Sequence, residues 1–273
     1  MMVYFVLVAA FISMPVAAQI LLQVRTNNTK VKVPPRGWAQ ILVPLAPDHV
    51  LGSPGQSHSQ VGQDKLVQAI LNCKRGGFFV DLAAHDAADL SNTLMLERDF
   101  GWDGICMEAN PFYTPGLAKR RCTTVLAAVG SPSNQLVNFT YKGAFGGIVS
   151  DKFDNHDAGG AVQVKLQTKA LGEILDELNA PHVIDYFSLD VEGAESLVMN
   201  GFPWEKYKFS VITVERPKED LKATLYGHGY RFLRKNSNFD DETWVSLDFV
   251  HIANANLTVP TSKQFAARCP VTV

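Results

Sequence analysis

The sequence lacks an excess of charge of either sign. Its 25 Lys and Arg residues are nearly balanced by 27 Asp and Glu residues, which gives a formal net charge of −2 over 273 residues. A nucleic-acid-binding protein needs a basic surface that neutralises phosphates. The balance of charge therefore argues against nucleic acid as a partner.

Several diagnostic motifs are also missing. The chain contains neither G-x-G-x-x-G nor a P-loop, which argues against dinucleotides and nucleoside triphosphates as ligands. It has no C-x-x-C pair and no Cys/His cluster, so a zinc site is not expected. No internal period of roughly 20–50 residues is found, which argues against solenoids and propellers.

What the chain does have is enough apolar material for a large core. Hydrophobic residues make up 47% of it and charged residues 19%, a composition typical of a folded protein. A globule of this length buries roughly three quarters of the surface that its unfolded chain exposes. We therefore expect a globular protein with a substantial core.

The N-terminus is apolar. Residues 2–18 carry no charge and end in small residues that suit cleavage of a signal peptide after Ala18. Because Leu21 and Leu22 extend the apolar stretch, residues 1–18 are alternatively a short membrane anchor that is retained. A buried strand or helix is the third interpretation.

Three N-x-S/T sequons begin at Asn27, Asn138 and Asn256. Such triplets accept glycans in proteins that enter the secretory route. Together with the apolar N-terminus, they predict a glycoprotein of the secretory pathway, lumenal in the endoplasmic reticulum or Golgi, or secreted. We expect contact with a membrane only through the N-terminal segment, if that segment is not cleaved.

The four cysteines allow three complete disulfide pairings, and their spacing does not choose among them. Cys106 lies inside an apolar run, which favours a buried free thiol. Cys73 and Cys269 flank the main part of the chain and would pair in an oxidising lumen.

Three parts follow the N-terminal segment. Residues 19–58 contain several prolines and indicate an extended lead-in, residues 59–255 form the main domain, and residues 256–273 form a C-terminal tail. Residues 130–162 are rich in Gly, Ser, Asn and Asp and indicate an insertion or long loop that covers a site.

Short apolar runs alternate with helical patterns through the main domain. The pattern predicts strands over 78–82, 104–108, 123–129, 184–189, 209–214, 230–233 and 243–249. It predicts helices over 63–71, 92–98, 114–121, 171–178, 194–199 and 221–226. Such an alternation predicts a doubly wound, mostly parallel α/β sheet of seven strands, with the last two as an antiparallel hairpin at one edge.

Carboxylates follow four of the five parallel strands: Asp81, Glu108, Asp190 with Glu192, and Glu215. Ligands of such sheets bind beyond the carboxyl ends of the strands, where strand order reverses. Carboxylates there do not suit a pyrophosphate, whereas they suit a cationic nucleoside. Glu108 is placed to accept both ribose hydroxyl protons.

Six segments in succession resemble the FkbM family of methyltransferases. They are SQVGQD at 59–64, GFFVD at 77–81, LSNT at 90–93, GICMEANP at 104–111, IDYFSLDVEGAE at 184–195 and VITVE at 211–215. Each is modest alone, but their order and spacing over residues 59–250 are specific. The resemblance implies a class I, Rossmann-like fold and an O-methyltransferase that uses S-adenosylmethionine, often on hydroxyls of sugars or natural products.

The loop after the first parallel strand departs from the family pattern D-(I/V)-G-A-N-x-G. Ala83 and Ala87 stand where the family has glycines, and His85 stands where it has asparagine. An alanine methyl group is tolerated where φ is negative and obstructs where φ must be positive. The chain still carries Asp81 and Glu108, the two most diagnostic carboxylates of the family pattern.

These considerations assign the candidate site. The cofactor-binding candidates are Asp81, Ala83, His85, Asp86, Ser91, Glu108 and Ala128. Asp190 and Glu192 are the catalytic candidates. A weaker alternative places Mg²⁺ between Asp190 and Glu215.

Some candidates have structural alternatives. Asp81 would otherwise cap a turn, Ser91 would cap a helix, and Glu195 complements the dipole at a helix start. Phe139, Tyr141, Phe145 and Phe153 form either an acceptor wall or loop packing.

We therefore expect methyl transfer from S-adenosylmethionine to a hydroxyl of a glycan or small natural product. The alternative is a non-catalytic protein of the secretory pathway that keeps the fold, with Ala83 and Ala87 as traces of lost cofactor contacts.

Overall fold

The computed structural model describes residues 40–42, 51–156, 159–236, 240–249 and 258–271. The strands of the main sheet are β1 (Gln40–Leu42), β2 (Phe78–Leu82), β3 (Asp103–Glu108), β4 (Thr123–Leu126), β9 (Val183–Leu189), β10 (Lys208–Val214), β11 (Tyr230–Lys235) and β12 (Glu242–Ser246). Those of a second sheet are β5 (Ala128–Val129), β6 (Leu136–Tyr141), β7 (Gly147–Ile148) and β8 (Val162–Lys169).

The α-helices of the described residues are α1 (Gln63–Ile70), α2 (Leu94–Phe100), α3 (Thr114–Leu117), α4 (Leu171–Glu177), α5 (Glu195–Met199), α6 (Glu219–Gly227) and α7 (Ser262–Arg268). Each predicted helix has a counterpart among α1 to α6. The main differences are α3, which ends four residues before its predicted end, α2, which begins two residues after its predicted start, and α6, which begins two residues before its predicted start.

The main sheet has the strand order β1-β4-β3-β2-β9-β10-β12-β11. Strands β4, β3, β2, β9 and β10 are parallel, whereas β12 is antiparallel to both β10 and β11. The predicted mostly parallel seven-stranded sheet with an antiparallel edge hairpin is confirmed. Strand β1 adds an eighth strand, antiparallel to β4, from the segment predicted as a lead-in.

The order of the strands creates a crevice at the centre of the sheet. The chain passes from β2 outwards to β3 and β4, and it returns to place β9 on the other side of β2. Strand order therefore reverses between β2 and β9. In such sheets the ligand site lies beyond the carboxyl ends of the strands at this point.

Both faces of the sheet are buried, which explains the consecutive apolar residues of its strands. Val80 and Leu82 of β2 contribute to a core with residues of α4, α5 and α6. Phe79 packs on the opposite face with residues of α1, α2 and α7. Because successive residues of a strand alternate between faces, Asp81 lies on the same side as Phe79.

The segment predicted as an insertion or long loop contains strands, so that part of the prediction is wrong. Residues of β6 pair with β7 and β8, and β8 pairs with β5. In β8 the apolar residues Val162, Val164 and Leu166 alternate with polar ones, and this period-two pattern was the missed signal. The predicted strand 123–129 is divided at Ala127, where the chain leaves the main sheet for the second one.

All four cysteines form disulfides. Cys73 pairs with Cys269, as predicted for a protein in an oxidising lumen. The prediction that Cys106 is a free thiol is wrong, because it pairs with Cys122. Cys106 lies on β3 and Cys122 directly precedes the neighbouring β4, so adjacent parallel strands bring the two residues together.

None of the described helices has the length and apolar composition needed to cross a membrane. The predicted signal peptide or anchor at residues 1–18 lies outside the described residues, as do the sequons at Asn27 and Asn256.

Candidate functional site

A cavity opens at the carboxyl ends of the parallel strands. Its walls surround about 1220 Å³, a volume that includes the mouth open to solvent. Most residues singled out from the sequence line it, namely Asp81, Ala83, His85, Glu108, Ala128, Asp190, Glu192 and Glu215. The topology therefore brings the strand-end carboxylates together, as expected.

Glu108 ends β3 and is 7% exposed. Its Oε2 accepts a hydrogen bond from the backbone N of His85 at 2.9 Å, and its Oε1 accepts one from the backbone N of Asn110 at 2.7 Å. Burial raises the pKa of Glu108, although these N–H groups oppose the shift. Because each carboxylate oxygen can accept a second hydrogen bond, the carboxylate is oriented and keeps acceptor capacity towards the cavity.

Asp81 lies deeper in the wall and is 3% exposed. Its Oδ2 accepts a hydrogen bond from Oγ1 of Thr93 at 2.5 Å, and the hydroxyl of Ser188 on β9 also bonds to this carboxylate. Burial raises the pKa of Asp81, and the Thr93 hydroxyl and the Arg120 charge lower it in part. Asp81 therefore joins β2 to β9 and to the start of α2 while it lines the cavity.

Arg120 lies behind this wall and is fully buried. It donates from Nε to Glu97 at 3.1 Å, from Nη1 to Oγ of Ser91 at 3.0 Å and from Nη2 to Oγ1 of Thr93 at 3.0 Å. We call the group formed by Asp81, Ser91, Thr93, Glu97 and Arg120 the β2 network. Sequence reasoning missed it, because a run of Lys and Arg at 119–121 is typical of a solvated surface.

Two of the cofactor-binding candidates, Asp86 and Ser91, do not line the cavity. Oγ of Ser91 accepts a hydrogen bond from the backbone N of Leu94 at 3.1 Å, as a residue that caps the start of α2 does. Oδ1 of Asp86 accepts from the backbone N of Ala88 and of Asp89. Partial burial favours a higher pKa for Asp86. These hydrogen bonds outweigh that effect and lower its pKa.

Three residues of the loop between β2 and α2 lie in the left-handed region, the last of them Leu90 with φ 58°. Ala83 has φ 64° and His85 has φ 52°, whereas Ala87 is not among the residues with positive φ. This region costs a residue that carries a Cβ roughly 1–2 kcal/mol. Of the two alanines at family glycine positions, Ala83 alone is therefore strained, and its side chain lines the cavity.

Part of the cavity wall is apolar. Ala128 is 3% exposed and packs with Phe139 and Ile148, and all three line the cavity. Of the four aromatic residues predicted for an acceptor wall, Phe139 and Phe145 line the cavity. Tyr141 and Phe153 pack in the adjoining hydrophobic cluster instead.

A second group of acids lies where β9 and β10 end. Carboxylate oxygens of Asp190, Glu192 and Glu215 are all within 4.8 Å of one another. Arg216 is the cation beside them, and it pairs with Glu192 at 3.0 Å, with Asp154 at 3.0 Å and with Glu215. We call Asp154, Asp190, Glu192, Glu215 and Arg216 the acid cluster.

The excess of acid in this cluster changes its protonation. Desolvation and the neighbouring Glu215 carboxylate raise the pKa of Asp190 well above its usual range. Burial and the Glu215 charge raise the pKa of Glu192 to about 7, against the opposing charge of Arg216. The protonated form of Asp190 is therefore favoured more than that of an exposed aspartate.

Glu195 also carries a raised pKa, for a structural reason. It is 1% exposed, and its Oε1 accepts hydrogen bonds from the backbone N of Val191 and of Gly193, both at 3.1 Å. Burial raises its pKa to about 7. Glu195 thus organises the turn before α5 and does not line the cavity.

The acid cluster does not by itself indicate Mg²⁺. Converging carboxylates suit a hard cation, but here Arg216 already pairs with two of the three acids that converge. The magnesium alternative therefore gains no support from the arrangement.

Sequence reasoning missed the neutral polar residues of the cavity wall, which include Gln60, Gln63, Asn92, Asn110 and Ser188. A single amide carries no motif of its own. Their one sequence signal was membership of the segments at 59–64, 90–93, 104–111 and 184–195 that resemble the FkbM family.

Remote likenesses are found among solved structures. The methyltransferase domain of METTL16 aligns with 66% of this chain at 11% identity and a TM-score of 0.41, and the chain covers 64% of that domain. The precorrin-6y C5,15-methyltransferase from Geobacter metallireducens GS-15 aligns with 67% of this chain and 87% of its own at 14% identity and a TM-score of 0.34. No curated protein matches the chain by sequence.

The family comparison is more direct. The family model of the methyltransferase FkbM domain matches residues 81–238, which are 158 of the 273 residues. The match begins at Asp81, and it includes Glu108 and the acid cluster. The chain therefore belongs to the FkbM methyltransferase domain family.

Proposed function

We propose that the protein transfers a methyl group from S-adenosylmethionine to a hydroxyl of a glycan or small natural product in the secretory pathway. The observation that carries the proposal is the Glu108 carboxylate. It is buried at the end of β3, it is held by two backbone N–H groups, and it retains acceptor capacity towards the cavity.

The residues of the cavity fit this cofactor. Its ribose hydroxyls donate hydrogen bonds, which suits Glu108, and its positive sulfur is favoured by the negative charge that surrounds the cavity. The apolar wall of Ala128, Phe139 and Ile148 suits a purine ring, which gains from leaving water. Ala83 lines the cavity, which is open to solvent.

The cofactor, when bound, supplies a methyl group on a positively charged sulfur. The chain must hold the acceptor hydroxyl in line with that methyl group and remove its proton. Glu192 is suited to the proton transfer, because it lines the cavity and its pKa of about 7 is near neutral pH. Asp190 also lines the cavity and is suited to orient the hydroxyl.

The wall also limits the acceptor. None of the described residues that line the cavity is Lys or Arg, whereas several are Asp or Glu. An acceptor with phosphate or carboxylate groups is therefore disfavoured by charge. An uncharged, hydroxyl-rich acceptor suits the wall better.

Two features support a secretory location. The pairing of all four cysteines in disulfides is typical of proteins that fold in an oxidising compartment. Asn138, the sequon asparagine within the described residues, is exposed on β6 and accessible to glycosylation.

A second candidate function rests on Ala83. Its φ of 64° and its place in the cavity wall are the features expected of a protein that has lost cofactor contacts and kept the fold. The test below separates this non-catalytic alternative from the enzyme.

Calorimetric titration with S-adenosylhomocysteine tests the proposal on the purified chain. We expect micromolar affinity and a loss of roughly 10–100-fold in Glu108→Gln, because hydrogen bonds to a charged acceptor are removed. Asp89→Asn is the matched control, since Asp89 is exposed in the same region and does not line the cavity. Absence of binding to the wild-type chain would support the non-catalytic alternative.

A further inference from the structure

We infer that two neutral amides bind the amino-acid arm of the cofactor. Asn92 accepts a hydrogen bond from its ammonium group, and Gln63 donates one to its carboxylate. This inference rests on the proposed function and deepens it, because it assigns the end of the ligand that Glu108 does not reach.

The orientation of the Asn92 amide follows from its neighbours. Its Nδ2 donates to Oγ of Ser188 at 3.0 Å. Oδ1 of Asn92 therefore faces the other way, where it is buried without a donor among the described residues. Because Asn92 lines the cavity, this oxygen requires a donor on the ligand.

The orientation of the Gln63 amide is fixed in the opposite sense. Gln63 is 5% exposed, and its Oε1 accepts a hydrogen bond from the backbone N of Val61 at 3.0 Å. The amide oxygen is thus committed to the protein. Nε2 has no partner within the described residues, and Gln63 lines the cavity, so this group is a donor for a ligand.

The fold brings the two segments that carry these amides together at the cavity. A β-bridge joins Ser59 to Leu90, which brings the segment that carries Gln63 against the segment that carries Asn92. Ser188, the partner of Asn92, lies on β9, whereas Glu108 ends β3, and β2 lies between these strands. Two strand spacings amount to roughly 10 Å. That span suits a ligand whose ribose is held at one end and whose amino-acid arm is held at the other.

Charge explains why amides carry this role. None of the described lining residues is a cation, and the acids of the wall repel a carboxylate. A neutral donor such as Gln63 binds a carboxylate without a cation. The amide oxygen of Asn92 accepts hydrogen bonds, and the Asp81 carboxylate lies beyond Ser188. Both favour an ammonium group over a carboxylate beside Asn92.

A pair of ligands tests the assignment. S-adenosylhomocysteine carries the amino-acid arm, and 5′-methylthioadenosine has the same nucleoside and thioether without the ammonium and carboxylate groups. Calorimetric titration of Asn92→Ala and Gln63→Leu should show a loss of about 10–100-fold for the first ligand and a change within about twofold for the second. Gln135→Leu, which alters an exposed amide outside the cavity, should leave both affinities unchanged.

The remaining outcomes are distinct. Equal losses for both ligands, or no loss for either, would overturn the inference. Gln63→Glu guards against misfolding, because it keeps the acceptor for Val61 and presents an oxygen to the cavity; it should weaken S-adenosylhomocysteine selectively. If the wild-type chain binds both ligands equally, the amides do not bind the arm and the proposed function survives. If it binds neither, the proposed function fails first.

Discussion

The β2 network and the acid cluster lie at the same edge of one sheet and neutralise their acids differently. In the β2 network, Arg120 is fully buried and donates to several partners, so its acids have a dedicated cation. In the acid cluster, the side chain of Arg216 is 42% exposed and is shared by several carboxylates. Burial and the neighbouring Glu215 carboxylate therefore raise the pKa of Asp190, which no cation offsets fully. A saturated network stabilises the fold, whereas an unsaturated one retains groups that can exchange protons with a ligand.

The largest expected effect is the difference in stability between variants of Arg120 and of Arg216. Arg120→Met should lower the free energy of unfolding by about 3–5 kcal/mol, because Glu97 and Asp81 remain buried without their cation. Arg216→Met should cost about 1 kcal/mol or less, since its side chain is partly exposed and its acids can take up protons. Denaturant unfolding near pH 6 measures both values. Similar losses in the two variants would remove the distinction between the regions.

A smaller effect is expected in the pH dependence of stability. Glu192 and Glu195 both have pKa values raised to about 7 from 4.5. The folded protein therefore holds protons that the unfolded chain has released, and stability falls as pH rises from about 4.5 to 7. Glu195→Gln keeps the acceptor for Val191 and Gly193 and should remove about 2–3 kcal/mol of this dependence.

The control for this dependence is Asp86→Asn. Its two N–H partners lower the pKa of Asp86 despite partial burial, so it titrates at lower pH and should not alter the slope in that window. Unfolding free energies measured between pH 4.5 and 8 decide the matter. Stability that rises over this range in the wild-type protein would contradict the assignment.

The smallest expected effect compares two alanines of the loop beside the β2 network. Ala83→Gly should raise the free energy of unfolding by about 0.5–1 kcal/mol, because relief of the left-handed φ outweighs the entropy of glycine. Ala87→Gly should lower it by about 0.5–1 kcal/mol, since no positive φ is relieved there. Thermal unfolding of both variants measures the difference, and changes of the same sign would show that Ala83 is not strained.

The strand-end carboxylates were predictable, whereas their surroundings were not. Glu108 and Asp190 follow apolar runs, and parallel strands place such residues at one edge. The roles of Asp86 and Ser91 depend on which way each side chain points within the loop, which spacing does not reveal. Arg120 escaped prediction because a buried arginine and a solvated one look alike in sequence.

The sequence by itself determined the doubly wound sheet, the edge that carries the acids and the family of the chain. These features depend on local periodicity and on the order of segments, which are written along the chain. Tertiary structure alone decided the raised pKa of Asp190, the left-handed φ of Ala83 and the directions of the Asn92 and Gln63 amides. Such properties depend on distances between residues that are remote in sequence and on the exclusion of water around them.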